Sequence, residues 1–546
     1  MFQAVARSLF PITLGACVCL LPLCVNADTT VEEIRREALK PPRGEAGRPL
    51  PLAAHWNVRN WDPFYQNRLI RAGHHILPWL AHPAVQREMN EERMERFYKP
   101  ILTQWAAWKL PFTLRDGNWL SALQKEPYKS LPPRRNPLTI KQDNSIGRRP
   151  SPLGPAAVWR EAGAYWTDHP AVKRLQEYYP APPFVMFLSN NETRKLRWHE
   201  LGESLRFQTQ YKQRLSEEAK RELVAAAWIE RYNALHKGML DGLVNAQWKQ
   251  NAMFVGYNAF GPPSYARWPA WHEYAMATPA RLAPQPLFWD GGSPSSYDNN
   301  WQPEKTDYRV WSPQVEAMNF VFMWEEALRL NPDFWLEISL WDGDRESWGW
   351  RDGGDVKAQN SKPLQYIERG QDWTPARYQG RVQFVLWLLR PRSVREFRGH
   401  VQPRENHPYE KFWLAVLDSV DAVWASRTLT RFWRHGELVP NRAHKHPWQS
   451  RVVKKYEDAD RWFLLDTNLD PPRPWANETE LPVFSLALQL GEKPNREWLV
   501  YAYSPLEARR NVEVEIPHYK NIMIDVSIPG AFYTVDEKGK IVKQLH

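Results

Sequence analysis

Apolar residues recur along the chain in short, nearly continuous runs. Such runs are typical of parallel strands that are buried on both faces. We find eight of them, at residues 51–56, 75–80, 110–114, 184–188, 253–257, 287–289, 334–340 and 382–389. Eight parallel strands are the number that closes a (β/α)₈ barrel.

Longer stretches with a helical pattern separate several of the runs or follow them. They lie at residues 91–108, 200–243, 313–330 and 408–433. Strands that alternate with helices predict an α/β fold with a parallel sheet. We therefore predict a (β/α)₈ TIM barrel over residues 50–436, and a doubly wound sheet is the alternative.

The pattern changes after Gly436 to short strands in which apolar and polar residues alternate. They lie at residues 461–465, 483–490, 498–504, 511–516, 522–528 and 531–535. Alternation and close spacing are typical of antiparallel sheets. We expect a small β-sandwich at residues 455–546, connected to the barrel by a linker at 437–454.

The amino terminus has the pattern of an export signal. A short start that contains Arg7 precedes an apolar run, and small residues end at Ala27. This predicts a signal peptide over residues 1–27, a lead-in over 28–49, and a secreted or periplasmic protein without stable membrane insertion. A lipoprotein anchored at Cys17 is the weaker alternative. All 3 cysteines lie within the signal, so we expect no disulfide in the mature chain.

Tryptophan is abundant, with 30 among 546 residues. Indole rings are rigid and amphipathic, which suits stacking on the C–H faces of sugars. The predicted loops contain four tryptophans that we expect to contact a substrate: Trp289, Trp301, Trp341 and Trp348.

The net charge of +10 suits an anionic partner. No nucleic-acid signature is present, so we predict no nucleic-acid partner. No motif points to a metal site or to another cofactor.

Two carboxylates stand out against the strand pattern. The fourth run ends abruptly in Ser189-Asn190-Asn191-Glu192. In the seventh run the aliphatic residues 336, 338 and 340 suit the outer face, so Glu337 faces the interior. A carboxylate inside a barrel costs free energy unless it is hydrogen-bonded or takes part in chemistry.

Asn-Glu at the end of strand four, together with a Glu on strand seven, resembles the pattern of the clan A retaining glycoside hydrolases. The resemblance implies that Glu192 is the general acid/base, that Asn191 binds the sugar 2-hydroxyl and that Glu337 is the nucleophile. Retention requires two carboxyl groups about 5–5.5 Å apart, on opposite sides of the anomeric carbon.

Several alternatives remain open for these residues. The clan nucleophile lies at the strand tip, so Asp342 replaces Glu337 if the strand runs on. A wider carboxylate spacing would give an inverting enzyme. Asn191 could instead cap a helix, and Glu337 could form a buried ion pair with an arginine such as Arg390.

Other polar residues follow the predicted strands and form candidate substrate contacts at one rim: His55, Asn57, Asn258 and Arg390. Arg390 also begins a basic group with Arg392, Arg395 and Arg398, which favours an anionic glycan. The sequence thus predicts an exported glycoside hydrolase that acts on a polysaccharide or oligosaccharide. A non-catalytic glycan-binding protein on the same scaffold and a polysaccharide lyase are the alternatives.

Overall fold

The structure of the protein is a computed structural model. It describes residues 50–56, 63–85, 89–115, 117–190, 201–211, 215–257, 285–296, 324, 327–328, 330–340, 374–397, 410–439, 483–504 and 507–544. The predicted signal peptide and lead-in lie outside the described residues.

Eight parallel strands form a nearly closed barrel, as the sequence predicts. They are β1 (Leu52–Trp56), β2 (Trp79–Ala81), β3 (Phe112–Arg115), β4 (Val185–Asn190), β5 (Ala252–Tyr257), β6 (Gly291–Ser293, continued by Ser295–Ser296), β7 (Trp335–Leu340) and β8 (Ser393–Phe397). Their order in the sheet is β1-β8-β7-β6-β5-β4-β3-β2. A parallel bridge between Ala53 and Ile76, just before β2, brings the two ends of the sheet together.

In the described parts of the connections, helices lie between most of the strands, which is consistent with a TIM barrel. They are α1 (Pro63–Ala72), α2 (Lys99–Ala107, preceded by the π-helical Met94–Tyr98 and the short helix Glu91–Arg93), α3 (Ala156–Thr167), α4 (Pro170–Tyr178), α5 (Leu205–Gln210), α6 (Glu217–Gly242), α7 (Ala246–Asn251), α8 (Pro375–Leu389), α9 (Glu410–Ala422) and α10 (Arg427–His435). Short 3₁₀ turns lie at Pro83–Val85, Trp119–Gln124, Tyr128–Ser130 and Gln285–Leu287.

Alternation along β7 divides its side chains between the two faces of the barrel. Leu336, Ile338 and Leu340 pack in the large core between strands and helices, as the sequence predicts. Trp335 belongs to a separate interior cluster. That cluster is apolar and also contains Leu52, Ala54, Leu77, Met186, Leu188, Val255 and Tyr257.

Two of the predicted strands are wrong. The run at 382–389 is the second half of helix α8, and the eighth strand is Ser393–Phe397. The run at 287–289 overlaps a 3₁₀ turn, and the sixth strand begins at Gly291. A Cβ at Gly291 would lie 2.6 Å from the carbonyl oxygen of Trp335 and 2.7 Å from its Cβ, so only glycine lets β6 lie this close to β7.

The C-terminal region forms antiparallel sheets. Its strands are β9 (Glu437–Leu438), β10 (Phe484–Leu490), β11 (Glu497–Tyr503), β12 (Arg509–Ile516), β13 (Lys520–Val526), β14 (Ala531–Asp536) and β15 (Ile541–Gln544). One sheet has the order β9-β10-β11-β14-β15, and β12 pairs with β13 in a hairpin. The architecture is consistent with a β-sandwich. The predicted linker begins with β9, which pairs with β10 and so belongs to the sheet.

Both faces of the five-stranded sheet are covered. One face packs on the β12–β13 hairpin through residues such as Val500 and Ile524. The other face packs on helix α8, where the rings of Trp387 and Phe532 lie 4.9 Å apart. Gly380 of α8 permits this approach, since a Cβ there would lie 2.4 Å from the Ile528 carbonyl oxygen. Helix α8 is therefore buried between the barrel and the C-terminal sheet.

Candidate functional site

Most of the predicted site residues lie outside the described part of the chain. They are Asn57, Asn191, Glu192, Asn258, Trp301, Trp341, Asp342 and Trp348. Their roles stay predictions. The structure places the other four, which are His55, Trp289, Glu337 and Arg390.

Glu337 lies in the barrel interior and forms an ion pair with Arg395 of β8. Parallel pairing sets Glu337 beside Ser393 and Ser339 beside Arg395, which brings the two charged side chains together. Arg395 donates from Nε to Glu337 Oε1 at 2.5 Å and from Nη2 to Oε2 at 3.1 Å. Both side chains are 0 % exposed. The guanidinium of Arg395 thus binds the carboxylate through two parallel hydrogen bonds.

Two serines complete the coordination of this carboxylate. Ser293 on β6 donates to Oε1 at 2.9 Å, and Ser393 on β8 donates to Oε2 at 2.9 Å. Ser393 Oγ in turn accepts from Trp335 Nε1 at 2.8 Å. The network crosses β6, β7 and β8, and it leaves each carboxylate oxygen with two donors.

This arrangement bears on the prediction that Glu337 is a nucleophile. Glu337 would have to give up donors to reach a sugar. Strand β7 continues past Glu337 to Leu340, so the strand tip lies nearer Asp342. Glu337 is therefore a buried, fully hydrogen-bonded group, and Asp342 lies outside the described residues. The ion pair anticipated as an alternative exists, but its partner is Arg395, because Arg390 lies elsewhere.

Further polar side chains share the interior face close to the carboxyl ends of the strands. Asn190, the last residue of β4, follows the inward-facing Met186 and Leu188 at the same spacing of two. It pairs across the sheet with Tyr257, the last residue of β5. Arg115 ends β3 and pairs with Leu188. Period-two counting from the apolar residues would have found Asn190, which sequence reasoning did not select.

His55 is not at the rim. It follows Ala53 on the outward face of β1, and its ring makes an edge contact at 5.3 Å with Trp413 of α9. The prediction of a substrate contact is thus at odds with its position, which is buried between the barrel and the helices. One residue of strand register separates the inner face from the outer face.

Trp289 is also a core residue. It precedes β6, is 1 % exposed and packs against His236 with ring centroids 4.6 Å apart. The sequence predicts a loop tryptophan that contacts sugar, because the apolar run at 287–289 predicts the sixth strand at that position. With β6 starting at Gly291, Trp289 lies before the strand rather than after it.

Arg390 lies at the opposite end of the barrel from the strand tips. It ends helix α8 in a left-handed conformation (φ 44°), three residues before β8 begins. Its Nη1 donates to the carbonyl oxygens of Trp433 and Gly436, and burial lowers the pKa of its guanidinium. Arg390 therefore supports the helix termini and is not the substrate contact that the sequence predicts. Since Arg395 is paired with Glu337, the predicted basic group does not form one anion-binding rim.

The described residues hold no group of three or more His, Cys, Asp or Glu side chains that suits a metal ion. In the same residues, no helix is long and apolar enough to cross a membrane. No family model matches the chain, and no curated protein or solved structure shows significant similarity to it.

Proposed function

We propose that the protein is an exported glycoside hydrolase whose active site lies at the carboxyl ends of the barrel strands. The observation that carries this proposal is the network of Glu337, Arg395, Ser293 and Ser393, which lies next to the apolar interior cluster of the barrel. A buried ion pair gives little or no net stability compared with apolar residues of the same volume. Its presence is better explained by a functional site that it organises, and TIM-barrel sites lie at this end of the strands.

The position of the Asn-Glu pair supports the same proposal. Strand β4 ends at Asn190, so Asn191 and Glu192 follow the strand tip directly, where the clan A resemblance requires them. Asp342 follows the last residue of β7, Leu340, by two positions. The ends of β4 and β7 lie on different sides of one barrel, which suits two carboxylates that face one substrate from both sides.

The proposed mechanism is a double displacement. Glu192 protonates the leaving oxygen while Asp342 attacks the anomeric carbon, and water then hydrolyses the glycosyl-enzyme with Glu192 as the base. Glu337 and Arg395 act as positioning residues, since they join β6, β7 and β8 beneath the site. Three tryptophans outside the described residues are proposed to stack on sugar rings: Trp301, Trp341 and Trp348.

The test is a panel of polysaccharides assayed by release of reducing ends. Glu192→Ala and Asp342→Ala should each lower kcat by about 10³-fold or more on a substrate that the wild type cleaves, with thermal midpoints unchanged. Asp333→Asn is the matched control, because Asp333 is exposed and lies before β7. Near-normal activity in the Glu192 or Asp342 variant would refute the assignment of that residue.

A non-catalytic glycan-binding protein is the second candidate. It is favoured by the saturation of Glu337, which is the single carboxylate on the interior face of the described barrel strands. The same panel separates the two candidates, because this protein would bind a polysaccharide without releasing reducing ends. The lyase alternative loses its basis in Arg390, which lies at the far end of the barrel.

A further inference from the structure

A cleft of about 640 Å³ lies beside the barrel, outside the network described above. One wall is an antiparallel hairpin formed by Leu138–Ile140 and Ile146–Pro150, and the other wall contains Glu203 and Ser204, just before α5. The walls belong to the connections that leave the carboxyl ends of β3 and β4. The cleft is thus on the side of the fold where the proposed active site lies, and its size suits a sugar unit.

Basic side chains dominate this cleft. Lys141, Arg148 and Arg149 line it, against one carboxylate from Glu203. Lys141 and Arg148 are exposed, and neither forms an ion pair with another described residue. Arginine presents a planar fork of donors that matches a sulfate or carboxylate group. Lys141 and Arg148 therefore offer the cleft cationic donors that no described carboxylate pairs with.

The hairpin wall is held by hydrogen bonds to its backbone. Gln124 Nε2 donates to the Arg148 carbonyl oxygen at 2.8 Å, and Thr139 Oγ1 donates to the Arg149 carbonyl oxygen at 3.1 Å. These bonds fix the main chain at both arginines. The two guanidinium groups therefore start from a fixed backbone, which lowers the entropy cost of binding.

Arg206 of α5 connects the two walls. Its guanidinium donates to the carbonyl oxygens of Leu138 at 2.9 Å and Pro133 at 2.8 Å, and also to that of Asn136. Burial, with a smaller contribution from Arg231, lowers the pKa of Arg206 to about 10, so it stays charged at neutral pH. These hydrogen bonds link the two walls and add a further cation behind the hairpin.

We infer that this cleft binds a sulfate or carboxylate group carried by the polysaccharide substrate. That this polysaccharide is a substrate rests on the proposed function, whereas the binding of the anionic group does not. Arg148 and Arg149 contact the anionic group, and Glu203 accepts from sugar hydroxyls and opposes a second anion nearby. The basic residues that bind the anionic group thus lie in the connections after β3 and β4, and not after strand eight as the sequence predicts.

The test compares dextran sulfate with uncharged dextran in a direct binding assay at low salt, such as affinity electrophoresis or calorimetry. The wild type should bind dextran sulfate at least about tenfold tighter than dextran. Replacing Arg148 and Arg149 together by Ala should weaken that binding by about tenfold or more. A polygalacturonate arm shows whether carboxylate serves as well as sulfate, and tight binding of either polymer supports the inference.

The matched control is a second adjacent arginine pair, Arg509 and Arg510 on β12, replaced by Ala in the same way. This control should change binding less than about twofold. An equal loss in both double variants would overturn the inference, because net charge alone would then explain the binding. Equally tight binding of single-stranded DNA would overturn it too.

The binding assay does not depend on turnover. If no polysaccharide is cleaved but the Arg148 and Arg149 double variant alone loses binding of dextran sulfate, the hydrolase proposal fails. The inference that the cleft binds an anionic group then still holds. If cleavage occurs and the double variant binds dextran sulfate normally, the cleft inference fails alone. Unchanged thermal midpoints in both double variants exclude a folding artefact.

Discussion

Two arginine–carboxylate pairs have the same closest N–O distance, 2.5 Å, and lie in very different regions. Arg395 and Glu337 are in the barrel interior, where both side chains are 0 % exposed. Arg160 and Asp241 join helices α3 and α6, where they are 49 % and 45 % exposed. Water screens the second pair and has been removed from the first. The same closest distance therefore has different energetic consequences in the two regions.

The comparison explains why the interior pair needs its serines. A buried carboxylate loses its hydration, and Ser293, Ser393 and Arg395 replace that hydration with four hydrogen bonds to Glu337. The exposed pair needs no such shell, because solvent supplies it. A buried polar network in which every group is hydrogen-bonded also holds its side chains in fixed positions. The proposed site at the strand ends requires such a rigid base.

The largest expected effect is at the interior pair. Glu337→Ala should lower the free energy of unfolding by about 3–5 kcal/mol, since Arg395 would stay buried without a partner. Chemical denaturation at pH 7 measures this change. Replacing Glu337 by Leu together with Arg395 by Met should recover most of the loss, because no buried charge is left. A loss below about 1 kcal/mol in the single variant would contradict the description of this pair.

The next effect concerns two histidines between the barrel and the helices. Burial lowers the pKa of His82 and of His236 to about 3, since the protonated ring would be cut off from water. Unfolded histidine titrates near pH 6.5, so below that pH the unfolded chain binds protons that the folded chain does not. Stability is complete above pH 6.5 and is lost as the pH falls towards 3. At pH 5 the loss should be about 2 kcal/mol for each histidine.

Denaturation at pH 7 and pH 5 measures this pH dependence. His236→Phe keeps the ring stacked on Phe254, at a centroid distance of 4.6 Å, and should remove about half of the difference between the two pH values. His435→Gln is the control, because His435 is exposed at the end of α10. An unchanged difference in the His236 variant would show that this ring is not the titrating group.

The smallest effect is expected at the exposed pair. Asp241→Asn should change the free energy of unfolding by less than about 1 kcal/mol, and by less still in high salt. The same denaturation experiment measures it. If this loss equalled that of Glu337→Ala, burial would not be the factor that separates the two regions.

The sequence predicts the barrel well where strands are apolar on both faces. The alternation of Leu336, Glu337 and Ile338 correctly assigns the inner and outer faces of β7. The C-terminal strands β10 to β14 are also predicted within a few residues, because their alternation is regular. The short strands β9 and β15 are missed, and the predicted strand at 461–465 lies outside the described residues. Roles for Glu192 and Asp342 follow from a short motif, and they stay predictions.

The errors at the sixth and eighth strands have a common physical cause. The second half of helix α8, residues 382–389, is almost entirely apolar because the barrel covers one side and the C-terminal sheet the other, so its sequence resembles a buried strand. Strand β8 is polar because Arg395 pairs with Glu337, and β6 is rich in glycine because Trp335 occupies the space beside it. These strands fit their neighbours, and the fit appears only once the register across the sheet is known.

The position of α8 between two sheets has a consequence for truncation of the chain and for whether the barrel can occur without the C-terminal region. A chain that stopped at Gly436 would expose an apolar surface around Phe384 and Trp387, which Phe484 and Phe532 cover in the full chain. Such a fragment would aggregate rather than persist as an independent barrel. The barrel and the C-terminal sheets therefore form one evolutionary unit, in which the C-terminal region completes the barrel's exterior and cannot be removed without loss of solubility.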